Sequence, residues 1–111
     1  MNNLYLIVPC FNEEDILNDT ARELERKMKS FIQNGRIAPN SRILFIDDGS
    51  KDATLQIVRK LHEENPCYSY LSFSRNFGHQ SAVLAGLFFA VDHGADVTIS
   101  IDADLQQDIE A

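Results

Sequence analysis

Four short apolar runs punctuate the chain, and each breaks off into polar residues. The first is Leu4-Tyr5-Leu6-Ile7-Val8, ended by Pro9. The second, Ile43-Leu44-Phe45-Ile46, runs into Asp47-Asp48-Gly49-Ser50. The third, Tyr68-Ser69-Tyr70-Leu71-Ser72-Phe73, alternates polar with apolar. The fourth, Val97-Thr98-Ile99-Ser100-Ile101, stops at Asp102-Ala103-Asp104. Runs of strand length that are rich in β-branched residues and poor in charge predict buried strands, with the alternating third less buried. Between the runs the apolar period lengthens. Ile16, Leu17, Ala21, Leu24, Met28, Phe31 and Ile32 recur at helical spacing and predict an amphipathic helix over residues 13–33. Asn12 is its expected N-cap, the acids after it suit the helix dipole, and Asn34-Gly35 is its stop. Leu55, Val58 and Leu61, with Ile57, mark a second helix over 51–64, capped by Ser50 and stopped at Asn65-Pro66. A third, over 80–91, is apolar nearly all round and should be buried on most sides; His93-Gly94 ends it, and the last strand begins near Asp96.

Strands alternating with helices predict an α/β fold. Its sheet is mostly parallel, with helices on both faces and right-handed crossovers. Ligands of such sheets bind beyond the carboxyl ends of the strands. The polar clusters fall there: Asn12-Glu13, Asp47-Asp48, residues 75–80 and residues 102–106. No repeat, low-complexity segment or linker interrupts the order.

Length and composition narrow the function. The 111 residues suffice for one compact domain or a piece of a larger one, and 44% hydrophobic with 24% charged residues is ordinary for a folded chain. A net charge of −7 excludes a general nucleic-acid binder, so no nucleic acid is expected as a partner. It permits a phosphate ligand held through a cation. Cys10 and Cys67 form no paired motif and read as reduced thiols of a cytosolic protein. The start lacks the charge and apolar core of a signal peptide, and no apolar run reaches the roughly 20 residues that span a bilayer. Arg22, Arg26, Lys27 and Lys29 read as a solvated helix face, with contact to an anionic membrane surface as the second reading.

The candidate chemistry lies at the strand ends. Asp102, Asp104 and Gln106 stand at i, i+2 and i+4, on one side of an extended backbone, and three converging oxygens suit Mg²⁺ or Mn²⁺. Alone, an Asp-x-Asp is short and more often an acidic capping loop. Neither Gly-x-Gly-x-x-Gly nor a P-loop is present, which disfavours a dinucleotide oxidoreductase or P-loop ATPase. Asp47 and Asp48 face opposite ways on a strand. One can accept from a ribose hydroxyl or base N–H; equally, the pair can start and tighten a turn with Gly49. Arg75 and His79 are the nearby basic groups, and either can face a phosphate. For His79 the preferred reading is a polar cap on the third helix.

Taken in order, Val8-Pro9-Cys10-Phe11-Asn12-Glu13-Glu14, Phe45-Ile46-Asp47-Asp48-Gly49-Ser50-Lys51-Asp52, Ser74-Arg75-Asn76-Phe77-Gly78-His79 and Asp102-Ala103-Asp104-Leu105-Gln106 strongly resemble the nucleotide-binding half of family 2 glycosyltransferases with the GT-A fold. The likeness covers essentially the whole chain. It is greatest to the branch of dolichol-phosphate mannosyltransferase and the bacterial polyprenyl-phosphate glucosyltransferases. The resemblance implies that Pro9, Phe11 and Glu13 pack on the nucleoside, and that Ile46 and Asp48 contact the base. It implies that Asp102, Ala103 and Asp104 bind the donor, and that Asp102, Asp104 and Gln106 hold Mg²⁺ or Mn²⁺ on its diphosphate, the two acids being catalytic. Phe11 stands where relatives often have Tyr.

The implied reaction is metal-dependent, inverting transfer of a hexose from a UDP-glucose- or GDP-mannose-type donor to polyprenyl phosphate. Residues 1–111 are then expected to be the N-terminal donor half, without the acceptor half and inactive alone. The full-length protein is expected on the cytoplasmic side of the membrane, serving the cell envelope and associated through a C-terminal part, while this stretch is soluble. The alternatives are a non-catalytic nucleotide-binding module and a family 2 enzyme with a saccharide acceptor. A phospho-acceptor receiver domain is disfavoured, because its acids should follow the first and third strands.

Overall fold

The computed structural model describes residues 2–104. Gln106, the expected third metal ligand, lies outside the described residues. Seven elements alternate in the expected order: β1 (Leu4–Cys10), α1 (Leu17–Gln33), β2 (Arg42–Asp47), α2 (Thr54–Glu64), β3 (Tyr68–Ser72), α3 (His79–Asp92) and β4 (Val97–Ser100). The four strands form one parallel sheet in the order β3-β2-β1-β4. Strand alternation sorts the core into two layers. Leu4, Leu6, Val8 and Cys10 of β1, with Ile43 and Phe45 of β2, pack against Leu17, Ala21, Leu24 and Met28 of α1 and Val58 and Leu61 of α2. Tyr5, Ile7, Leu44 and Ile46 point the other way, towards Ala82 and Ala90 of α3. The interiors of the two central strands, Leu4–Val8 and Ile43–Ile46, are therefore near-continuous apolar runs, because both of their faces are covered.

Several boundaries and environments differ from expectation. Pro9 does not end β1; it pairs with Ile46, and the strand runs on to Cys10. In this strand the odd residues bond towards β4, as Ile7 does in accepting from Ile101 N–H. Pro9 comes where β4 pairing has stopped at Ser100, so its missing N–H leaves no bond unmade. Asn12 is not the N-cap of α1. It sits at φ 54°, its side chain accepts from Lys51 N–H, and the helix starts after a turn at Leu17. Ser50 likewise does not cap α2; its Oγ accepts from Asn12 N–H, while Asp52 accepts from Thr54 N–H at the helix start. The capping residues tie the first two loops together instead.

β4 is a sheet edge rather than a buried strand, with Val97 and Ile99 exposed. α3 is not buried on most sides. Among the described residues it is the one helix on its face of the sheet. Its small stripe of Ala82, Gly86 and Ala90 faces inward, and Leu84, Phe88 and Val91 are exposed.

Candidate active site

The strand order fixes where a ligand can enter. From β1 the chain moves outward through β2 to β3, then returns to place β4 on the other side of β1. The strand order reverses direction between β1 and β4, and in such sheets ligands bind at the carboxyl ends of the strands at that point. A cleft of about 340 Å³ occupies that position, lined by Pro9, Cys10, Phe11, Glu13, Asp48, Asn76, Gly78, His79, Asp102, Ala103 and Asp104.

Pro9, Phe11, Glu13, Asp48, Asp102, Ala103 and Asp104, all singled out in the sequence, thus share one wall system. Ile46 does not join them. It is fully buried, and its side chain reaches the position a Cβ on Gly86 of α3 would approach, so it belongs to the core. Residues Cys10, Asn76 and Gly78 line the cleft without having been assigned a role. The signal for the last two was their place in the polar loop after a strand; Cys10 follows from its neighbours Pro9 and Phe11.

Local structure explains each placement. β1 carries Phe11 just past its end, where the ring is 42% exposed. Thr20 of α1 donates from Oγ1 to the Ala103 carbonyl at 2.6 Å, in a buried bond that holds the end of the fourth run against α1. Ala103 is thereby buried while its neighbours Asp102 and Asp104 reach the cleft. The adjacent acids after β2 divide their work. Asp47 accepts from Ser50 N–H and closes the turn. Asp48, 3% exposed, accepts from the backbone N–H groups of Phe77 at 2.8 Å and Gly78 at 3.1 Å, and so fastens the loop after β3. Of the two basic candidates, Arg75 lies over the Phe77 ring, 4.6 Å from its centre, and does not line the cleft. His79 does. It is the first residue of α3, makes no capping bond, and places Nε2 4.0 Å from Asp102 Oδ1. The expected capping role is thus replaced by a place in the cleft wall.

The cleft is acidic. Glu13, Asp48, Asp102 and Asp104 line it, against the one imidazole of His79. Burial, then the nearby charges of Asp104 and Asp52, hold the Glu13 carboxyl above its ordinary range. The Cys10 thiol is buried, and burial first and then the charges of Glu13 and Asp47 push it up. A divalent cation fits this donor set of hard carboxylate oxygens. No cluster of three His, Cys, Asp or Glu ligands forms among the described residues. Two carboxylates suit Mg²⁺ or Mn²⁺, which complete their shells with water and ligand phosphate oxygens.

Comparison with known proteins gives a consistent answer. The family described as glycosyl transferase family 2 matches residues 5–111. The uncharacterized glycosyltransferase YkoT of Bacillus subtilis (strain 168) is 44% identical over 106 residues, covering 96% of this chain and 31% of that protein. A prophage bactoprenol glucosyl transferase homolog of Escherichia coli (strain K12) is 45% identical over 109 residues, 95% of this chain and 31% of its own length. The bactoprenol glucosyl transferase of Shigella phage SfX is 44% identical over 109 residues, 95% of this chain and 32% of its own length. The chain thus spans about a third of the length of these relatives. Among solved structures, the mannosyltransferase PcManGT from Pyrobaculum calidifontis, in complex with GDP-Man and Mn²⁺, superposes with a TM-score of 0.62 at 22% identity over 93% of this chain and 28% of that one. That likeness is one of fold, and it assigns the parallel sheet to the GT-A type. Since the family match runs through every loop that builds the cleft, the chain belongs to glycosyl transferase family 2.

Proposed function

We propose that residues 1–111 form the donor- and metal-binding part of a glycosyltransferase that moves a hexose from a nucleotide sugar to a polyprenyl phosphate. The observation that carries the reading is the meeting of Asp102 and Asp104 with Phe11, Glu13 and Asp48 at the crevice between β1 and β4. The names of two relatives, both bactoprenol glucosyl transferases or homologs, support the lipid acceptor, and the neighbour in complex with GDP-Man and Mn²⁺ supports a nucleotide-sugar donor and a divalent ion.

Each residue then has a task. Asp102 and Asp104, with Gln106 proposed beside them, hold Mg²⁺ or Mn²⁺. The ion supplies neutralisation of the charge that builds on the departing diphosphate. The exposed ring of Phe11 offers a stacking surface for the base, with Pro9 and Glu13 shaping its edge. Asp48 contributes to the base side of the cleft and keeps the opposite loop in place, while Ile46 acts from the core behind it. A phosphate acceptor is already anionic at neutral pH, so no side chain need remove a proton from it. One direct displacement by that phosphate oxygen, with the nucleoside diphosphate leaving, inverts the anomeric carbon. The whole protein would work at the cytoplasmic side of a membrane. No helix among the described residues is long and apolar enough to cross one.

Titration calorimetry with UDP-glucose, GDP-mannose and the free nucleotides tests this. Binding of one donor should depend on Mn²⁺, and Asp104→Ala should remove the metal-dependent part, a loss of at least about tenfold. Equal binding with and without metal would favour a nucleotide-binding module without catalysis and overturn the proposal.

A further inference from the structure

His79 is the one basic side chain lining the cleft among the described residues, and its position is imposed by groups some distance away in the sequence. Asp48 uses both carboxylate oxygens on the backbone N–H groups of Phe77 and Gly78, and is itself almost wholly buried. Gly49 passes so close beneath the same loop that a Cβ there would come within 2.2 Å of the Arg75 carbonyl carbon. Gly78 takes φ +100° to turn the chain into α3. A buried acid and two glycines thus set the point at which α3 begins. The imidazole itself is 61% exposed and stands too far from Asp102 for a hydrogen bond. It is fixed at its root and open at its tip, in a cleft whose other ionisable oxygen groups are all carboxylates. An anion drawn to a cation on Asp102 enters the cleft that His79 lines, within reach of an imidazole whose Nε2 lies 4.0 Å from Asp102 Oδ1, and the uncapped first turn of α3 adds a favourable dipole.

We infer that His79 donates a hydrogen bond from its imidazole to a phosphate oxygen of a substrate, and that Asp48, acting through the loop it fastens, is the positioning residue for that contact. The inference rests on the donor-site reading above. Phosphate oxygens can come from the nucleoside diphosphate of the donor or from the phosphate of a prenyl acceptor, and the experiment separates the two.

The protein, with Mn²⁺ present, is titrated with UDP and GDP, with uridine and guanosine, and with farnesyl phosphate. His79→Ala should weaken one of the phosphate ligands about tenfold, which identifies the source, and leave the nucleosides unchanged. His79→Gln, which keeps an N–H donor, should recover part of the loss. Asp48→Asn should weaken the phosphate-dependent part of binding, and should add nothing to that part in a His79→Ala background. A further loss in the double variant would overturn the positioning role. His79→Ala that binds every phosphate ligand like wild type, or that loses nucleosides equally, would overturn the contact. Wild-type protein that binds no ligand at all would overturn the donor site as well.

Discussion

Tyr68 shows how a single polar atom is accommodated in the core. The residue is fully buried at the start of β3, and its one hydroxyl proton is directed to the Glu25 carboxylate of α1, with the Ala21 carbonyl 3.1 Å from the same oxygen. Glu25 also accepts from Lys29 Nζ at 2.7 Å and lies 3.6 Å from Arg22. The Lys29 bond, followed by that of Tyr68, holds the Glu25 carboxyl below its ordinary value against the opposing effect of burial. Burial first, and then the Glu25 bond, push the phenol up. A depressed carboxyl means that the folded state binds the proton less tightly than the unfolded chain. Its contribution is present above the ordinary value of 4.5 and is lost as pH falls through the lower folded value. Lys29 is exposed, so the larger share belongs to the Tyr68 bond. Glu25→Gln should therefore cost about 1 kcal/mol at pH 7. In urea unfolding at a series of pH values the gap to wild type should close below pH 4.5; a gap independent of pH would place the loss in packing rather than charge. At this scale the sequence placed Asp47 and Asp48 on opposite sides of the strand and left open whether one faces a ligand or both serve the turn. The answer depended on Phe77 and Gly78, about 30 residues further on, whose N–H groups choose Asp48.

Elements meet where side chains are small. α3 approaches the sheet through Ala82, Gly86 and Ala90, and a Cβ on Gly86 would lie 2.6 Å from Cγ2 of Ile7 and 3.3 Å from Cδ1 of Ile46. Two effects compete in Gly86→Ala. Helix propensity favours alanine by about 1 kcal/mol. Overpacking against a β-branched side chain, stiff and held in a central strand, costs about 1–3 kcal/mol. The second should win, so Gly86→Ala is expected to lower the denaturation midpoint with an unchanged m value. A rise in the midpoint would mean that helix and sheet are not in such close contact. The same helix marks the limit of pattern reading. Its apolar residues correctly indicated a helix, but the number of neighbours a helix has is decided by the layers around it. Leu84, Phe88 and Val91 face outward because the sheet offers one partner surface. β4 repeats the lesson: Val97 and Ile99 read as strand, while their exposure follows from the strand order, which no local run of residues encodes.

At the scale of the molecule, the strand order turns four separate polar clusters into one cleft. The acids after β1, β2 and β4 were legible because each follows an apolar run, and parallel strands carry such ends to one edge. The ties between those loops were not. Asn12 with Lys51, Ser50 with Asn12, and Asp48 with Phe77 join residues 29 to 39 positions apart, whereas as local patterns Asn12 and Ser50 resembled helix caps and Asp48 a turn residue or a base contact. The concentration of acids has an energetic consequence in a chain of net charge −7. Glu13 is partly buried, and after that burial its largest perturbations are the charges of Asp104 and Asp52. Without a cation this repulsion opposes folding; a cation on Asp102 and Asp104 would relieve it, so the site gives up stability until it is loaded. Glu13→Gln keeps the shape and removes one charge. It should raise the thermal midpoint of the metal-free protein by roughly 2 °C. Saturating Mn²⁺ should raise the wild-type midpoint more than that of the variant and narrow the difference between them. Thermal unfolding of both proteins, in chelator and in Mn²⁺, decides the matter. A variant no more stable than wild type in chelator would mean that burial alone, and not crowding among the acids, sets the state of Glu13.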